Sequence, residues 1–237
     1  MPDTALHARS EPPPASEILP LEPGDRLTRA EFERRYDAMP QLKKAELIEG
    51  VVYLPSPVRL ERHGRPSRYL STWLGTYEAA TPGVIGADNV SVRLDLDNEP
   101  QPDGILLIDP ACGGQARISH DDYVEGGPEL AGEVTSSSAS YDLGDKLQAF
   151  RRNGVREYIV WRVLDREVDW FVLREGRYDR LLLDKENLYK SEAFPGLWLD
   201  VAQMLRGDLS AVLAALREGL ATAEHAAFVE SLGRQAG

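Results

Sequence analysis

An α/β fold, a central sheet flanked by helices, is predicted by three features of the chain. Short apolar strands alternate with segments of helical period. One strand, Ile105 to Ile108, is wholly apolar, as expected of a strand covered on both faces. The 237 residues, 42% hydrophobic and 28% charged, have ordinary globular composition, which excludes wholesale disorder and rod-like folds.

The elements follow in order. Residues 1–26 form a predicted mobile arm: this stretch is proline-rich and acidic and shows no apolar period. Thr28 with Glu31 reads as a capping box opening a helix to about Asp37. Leu47 to Leu54 reads as one strand, ended by Pro55 and Pro57. In His63 to Ala80, Leu70, Trp73, Leu74 and Tyr77 recur at i, i+3, i+4 and i+7, an amphipathic helix stopped by ThrProGly. Val84 to Leu96 supplies one or two strands with one wet face. Cys112 to Gly127 is a Gly-rich connection without period, and Leu130 to Thr135 is another strand.

Asp142 to Arg152 reads as a helix capped by Asp142, with Leu143, Leu147 and Phe150 on one stripe. Tyr158 to Leu164 is a strand, and Val168 to Leu173 and Tyr178 to Leu183 flank a hairpin turn at ArgGluGlyArg. Leu209 to Leu220 and Ala223 to Leu232 are closing helices that either cover the sheet or make a dimer contact. The expected division is an arm over 1–26, a main domain over 27–200 and a helical extension over 201–237.

Several function classes recede on composition. No apolar run approaches the roughly 20 residues of a membrane helix, and the N-terminus has no apolar signal region. One cysteine, Cys112, leaves no intrachain disulfide and no multi-cysteine zinc site, which suits a cytoplasmic protein. The net charge of −12 weighs against a protein that holds nucleic acid chiefly through phosphate contacts. It leaves open one that uses carboxylates to hold a divalent metal.

The chemistry concentrates in residues 101–158. Asp103 and Glu133 are acids at or inside apolar strands. A buried carboxylate is costly unless it is paired, hydrogen-bonded or metal-bound. Two on neighbouring strands could share a hard cation such as Mg²⁺ or Mn²⁺. Each has a plainer reading: ProAspGly is a turn signal, and Glu133 could face solvent on an edge strand. Lys146 lies four residues after Asp142, so either an exposed i, i+4 pair or a catalytic lysine explains it. His63 is either a structural histidine or a cleft residue. SerSerSer at 136–138 is a polar loop or a source of hydroxyls for phosphate. Arg151, Arg152 and Arg156 are a small phosphate-binding group or a solvated helix end. The tryptophans lie in periodic segments and read as core.

These residues resemble the PD-(D/E)XK nuclease superfamily, and more narrowly its Uma-two family of restriction-endonuclease-like proteins. The resemblance rests on GluLeuIleGluGly (46–50), His63, ProAsp (102–103), GluValThrSer (133–136), Asp142 with Lys146, and GlyValArgGluTyr (154–158), with SerGluAlaPheProGlyLeuTrpLeu (191–199) in the tail. It spans roughly residues 27–235, and it is carried by order and spacing more than by any one motif. It implies a restriction-endonuclease-like mixed sheet flanked by helices, with a C-terminal helical extension. It also implies a Mg²⁺- or Mn²⁺-dependent endonuclease acting on DNA. Asp103, Glu133 and the Val134 carbonyl would be the metal ligands. The superfamily lysine normally sits two residues after the Glu, where this chain has Thr135. The resemblance implies that a helix residue, Lys146, replaces it, with Glu46 and His63 supporting the cleft. The rival expectation is a catalytically degenerate binding module or an oligomeric interaction protein on the same fold.

Overall fold

The computed structural model describes residues 18–55, 57–136 and 139–235. Most of the predicted N-terminal arm, and Ser137 and Ser138 of the predicted serine loop, lie outside the described residues.

Helix α1 (Arg29–Asp37) is capped by Thr28, whose side chain accepts from the Glu31 N–H. The capping box is only half made, because the Glu31 carboxylate is taken by Arg34 and Arg35. The stretch predicted as one strand is a hairpin of β1 (Glu46–Ile48) and β2 (Val51–Tyr53). Glu49 and Gly50 take φ of 52° and 70° between them, the left-handed pair that a two-residue turn requires. Helix α2 (Arg65–Ala80) carries a π-helical turn, Leu60–Gly64, at its N-terminus. Its predicted stripe of Leu70, Trp73, Leu74 and Tyr77 is buried.

Next come β3 (Val84–Ala87), β4 (Val92–Arg93), β5 (Gly104–Ile108), β6 (Arg117–Ile118), β7 (Val124–Glu125) and β8 (Leu130–Thr135). The region predicted as an aperiodic connection therefore holds two short strands, β6 and β7, which pair antiparallel. After β8 come helices α3 (Ala139–Asp142) and α4 (Asp145–Arg152), then strands β9 (Glu157–Arg162), β10 (Glu167–Arg174) and β11 (Arg177–Arg180). The β10–β11 turn falls at Glu175 and Gly176, as the ArgGluGlyArg signal predicts. A hairpin of β12 (Leu188–Lys190) and β13 (Trp198–Asp200) leads to α5 (Val201–Arg206), α6 (Leu209–Leu220) and α7 (Ala223–Gln235).

The main sheet has six strands in the order β11-β10-β9-β8-β5-β3. Only the β8–β9 pair is parallel; the other neighbours run antiparallel. Strand alternation divides the side chains between two cores. Leu106, Ile108, Leu130 and Val134 face α2, and Val212, Leu216 and Leu232 of the tail helices join that core. The tail helices thus cover the sheet. Ile105, Leu107, Ala131 and Val160 face the other way, with Phe150 of α4. A third small core packs α1 on the β1–β2 hairpin through Phe32, Leu47 and Val52.

Candidate active site

The register of the sheet builds the site. Gly104 pairs with Gly132 on antiparallel β5 and β8. One step further along the same ladder sets Asp103 opposite Glu133. Both share the parity of Ile105, Leu107 and Ala131, so both point to the face that α4 covers. On α4, Lys146 lies one turn before Phe150 on the buried stripe with Ala149, so the helical period aims it at the same face. The hairpin turn at Glu49 and Gly50 brings Glu46 of β1 to the cluster from the side.

The contacts are close. Lys146 Nζ donates to Glu133 Oε1 at 2.8 Å and to Glu46 Oε1 and Oε2 at 2.8 and 3.1 Å. Asp142 Oδ1 lies 3.6 Å from the same ammonium. The i, i+4 pair expected at the surface therefore exists but is buried, with the Lys146 side chain 2% exposed. Asp142 is not the cap of α4: that position is Gly144, because α3 ends at Asp142 and a break separates the two helices. Glu46 Oε1 also accepts from the Gln101 N–H at 2.7 Å.

Asp103 is held separately. Its Oδ2 accepts from the Val134 N–H at 2.9 Å, and its Oδ1 faces Lys44 Nζ at 3.2 Å and His63 Nε2 at 3.5 Å. His63 Nδ1 lies 2.9 Å from the Val134 carbonyl, so His63 clamps that carbonyl and faces Asp103 with its other nitrogen. The plain readings of Asp103 as a turn residue and Glu133 as an edge residue do not hold, since both are buried and β8 is an interior strand.

These side chains floor a cleft of about 600 Å³ whose walls include Tyr53, Arg59, Arg62, Ser136 and Tyr141. The Tyr53 and Tyr141 rings lie with centroids 4.1 Å apart, tilted 35° to each other. Thr135, where the superfamily pattern has its lysine, is buried. Arg151, Arg152 and Arg156 do not line the cleft. Arg151 bonds Gln148 and the Gly176 carbonyl, Arg152 pairs with Glu49, and Arg156 bonds Gln115. The sequence reasoning missed Lys44 and Tyr141. Lys44 had a signal in LysLysAlaGlu before β1, but its partner Asp103 is 59 residues away.

Four carboxyls, of Glu46, Asp103, Glu133 and Asp142, meet two lysines, Lys44 and Lys146. Burial pushes the Glu133 carboxyl well above its usual range; Lys146 opposes this, while Asp103, Asp142 and Glu46 add to it. Burial alone would lower Lys146, but Glu133, Glu46 and Asp142 outweigh it and hold the ammonium charged. Lys44 is raised likewise: burial pulls it down and Glu133, Asp103 and Glu46 prevail. On the floor of the cleft four carboxyls thus outnumber two lysines, while Arg59 and Arg62 on its walls add two further positive charges. The donors on the floor are carboxylate and carbonyl oxygens, the set a hard divalent cation takes. Among the described residues no three His, Cys, Asp or Glu side chains converge as a ligand set. Asp103, Glu133 and the Val134 carbonyl would leave most positions to water, which is how Mg²⁺ is commonly held.

A mixed sheet with helices on both faces and a buried carboxylate–lysine cleft at the ends of β5 and β8 defines a restriction-endonuclease-like protein. The family described as "Uma2: Putative restriction endonuclease" matches residues 29–202, and the chain belongs to that family. Among solved structures, the chain is similar to "a putative nuclease belonging to DUF820" from Anabaena variabilis ATCC 29413. The TM-score is 0.54 at 10% sequence identity, with 73% of this chain and 97% of that chain covered, so the likeness is one of fold. No curated protein matches the sequence.

Proposed function

We propose that the chain is a divalent-metal-dependent endonuclease that hydrolyses DNA phosphodiester bonds. The observation that carries this reading is Asp103, just before β5, set across from Glu133 of β8, with Lys146 Nζ 2.8 Å from Glu133. Family membership supports it. Asp103, Glu133 and the Val134 carbonyl would hold Mg²⁺ or Mn²⁺. Such an ion supplies a Lewis acid that makes water nucleophilic and offsets charge on a phosphoryl oxygen.

The chain's own residues do the rest. Lys146 stays charged, and its ammonium, shared among Glu133, Glu46 and Asp142, sets a fixed positive charge beside the carboxylates that favours developing negative charge. Glu46 and Asp142 hold that ammonium in place from two sides. His63 fixes the Val134 carbonyl, and Lys44 balances Asp103. Burial raises the Glu133 carboxyl's affinity for a proton, so loading the site with a cation competes with protonation there.

The test is nicking of supercoiled plasmid in Mg²⁺ and in EDTA. The reading expects cleavage only with the metal, and none by Asp103→Ala/Glu133→Ala. Equal cleavage by the double variant overturns it. A second reading, a nuclease-fold binding module without turnover, is favoured by Thr135 at the superfamily's lysine position and by two lysines already pairing with the carboxylates. It expects DNA binding with no cleavage under any metal.

A further inference from the structure

On this acidic chain, exposed arginines gather along one path beside the cleft. Arg59, Arg62, Arg65 and Arg68 recur every third residue along the π-helical turn and the start of α2. All four are exposed. Elsewhere arginines are mostly neutralised: Arg93, Arg152, Arg162 and Arg174, for example, all sit in ion pairs. Among the described residues Arg59, Arg62 and Arg68 make no ion pair, and Arg65 has only an exposed one with Glu61 at 3.5 Å.

The stripe connects two depressions. Arg59 and Arg62 line the carboxylate cleft. Arg65 lines a second hollow of about 180 Å³ with Tyr69, Arg166 and Arg206. The two share walls: the π-helical turn gives His63 to the cleft and Glu61 to the hollow, and the β9–β10 turn gives Leu164 to the cleft and Arg166 to the hollow. Arg166 and Arg206 are exposed and also lack an ion pair among the described residues. Tyr69 sets its ring 5.5 Å from the Arg65 guanidinium, and its hydroxyl accepts from Arg65 Nε at 2.9 Å.

We propose that this path, from Arg59 and Arg62 at the cleft through Arg65 to Arg166 and Arg206 at the hollow, holds the phosphodiester backbone of a nucleic-acid strand flanking the one at the carboxylates. Four arginines at three-residue spacing cover roughly 13 Å of helix. That equals the rise along a duplex axis of three to four phosphates of one strand, at about 3.4 Å each. The Tyr69 ring at the hollow gives a base a surface to stack on. The net charge of −12 weakens polyanion binding over the rest of the surface, which favours a track where cations gather. The proposal rests on the nuclease reading for the identity of the strand. It adds where the strand lies.

The test uses the full chain in EDTA with a fluorescent single-stranded DNA oligonucleotide, over a range of salt. The variants are Arg59→Ala/Arg62→Ala and Arg65→Ala/Arg166→Gly/Arg206→Ala. Arg166 sits at φ 57°, a conformation glycine adopts freely, so that substitution does not strain the fold. Each removed contact is expected to lower the salt slope by about 0.7, so the triple variant loses about two units and binds tenfold or more weaker at 100 mM salt. Mn²⁺ binding is expected to be unchanged in both variants. An unchanged slope and affinity overturns the proposal, as does equal loss of binding by the variants to anionic vesicles in place of DNA. Lost DNA binding in a protein that neither binds Mn²⁺ nor cleaves keeps the path and discards the nuclease reading. Intact cleavage with an unchanged slope does the reverse.

Discussion

At the residue scale, the consequences come from acids and lysines taken out of water. Removing one partner of a buried ion pair leaves the other uncompensated. Lys146→Ala strips Glu46, Glu133 and Asp142 of their shared cation. It is expected to cost about 3 kcal/mol at pH 8 by denaturant unfolding. The cost should shrink at pH 5, where the stranded carboxyls take up protons. Glu99 makes a separate prediction. It is buried, its Oε2 has no hydrogen-bond partner among the described residues, and burial, with Glu33 nearby, raises its pKa to about 8. A carboxyl raised in the folded state binds protons that the unfolded chain has released, so its contribution falls as pH rises from about 4.5 to about 8. Glu99→Gln is therefore expected to be more stable than the parent at pH 8 and to converge with it near pH 4. Thermal unfolding at several pH values reads the difference.

At the element scale, legibility followed periodicity. Helix α2 and strands β5 and β8 were readable because their apolar spacing is unbroken over a whole element. The β1–β2 hairpin was read as one strand because Glu49 and Gly50 interrupt an apolar run by only two residues, without the Asn or Asp usual in such turns. The β12–β13 hairpin is too short to show a period. The site was legible only in part. Asp103, Glu133 and Lys146 could be nominated from motif order, but spacing could not say that Lys146 turns inward. That follows from which face of α4 meets the sheet. The Lys44–Asp103 pair was invisible because nothing local joins the two.

Another acid at this scale has a purely structural role. Glu157 opens β9 and its carboxylate accepts from the Glu192 and Ala193 N–H groups, Ser191 Oγ and Trp170 Nε1. Glu157→Ala strands these donors and is expected to cost about 3 kcal/mol by denaturant unfolding. The tail helices are part of the same fabric. Leu216 of α6 is fully buried in the core that α2 and the sheet share, so Leu216→Ala should cost about 3 kcal/mol or more. A loss near zero would mean that the tail is an independent appendage.

At the scale of the whole molecule, the distribution of charge joins fold to function. A chain of net charge −12 sinks four carboxyls into one cleft, pairs them with two lysines, and leaves a largely unpaired arginine track beside it. No helix among the described residues is long and apolar enough to cross a membrane. The sheet register makes the arrangement possible: β5 and β8 bring together two acids 30 residues apart, and α4 lays Lys146 over them.

The central claim is that Asp103 and Glu133 form a divalent-cation site. Calorimetric titration of Mn²⁺ into the full chain tests it most directly, beside Asp103→Ala/Glu133→Ala and across pH 6 to 8. The account predicts saturable binding that tightens as pH rises, because burial favours the protonated Glu133 carboxyl and the cation competes with that proton, and that vanishes in the double variant. Binding of equal strength in both proteins, or none in either, would contradict it.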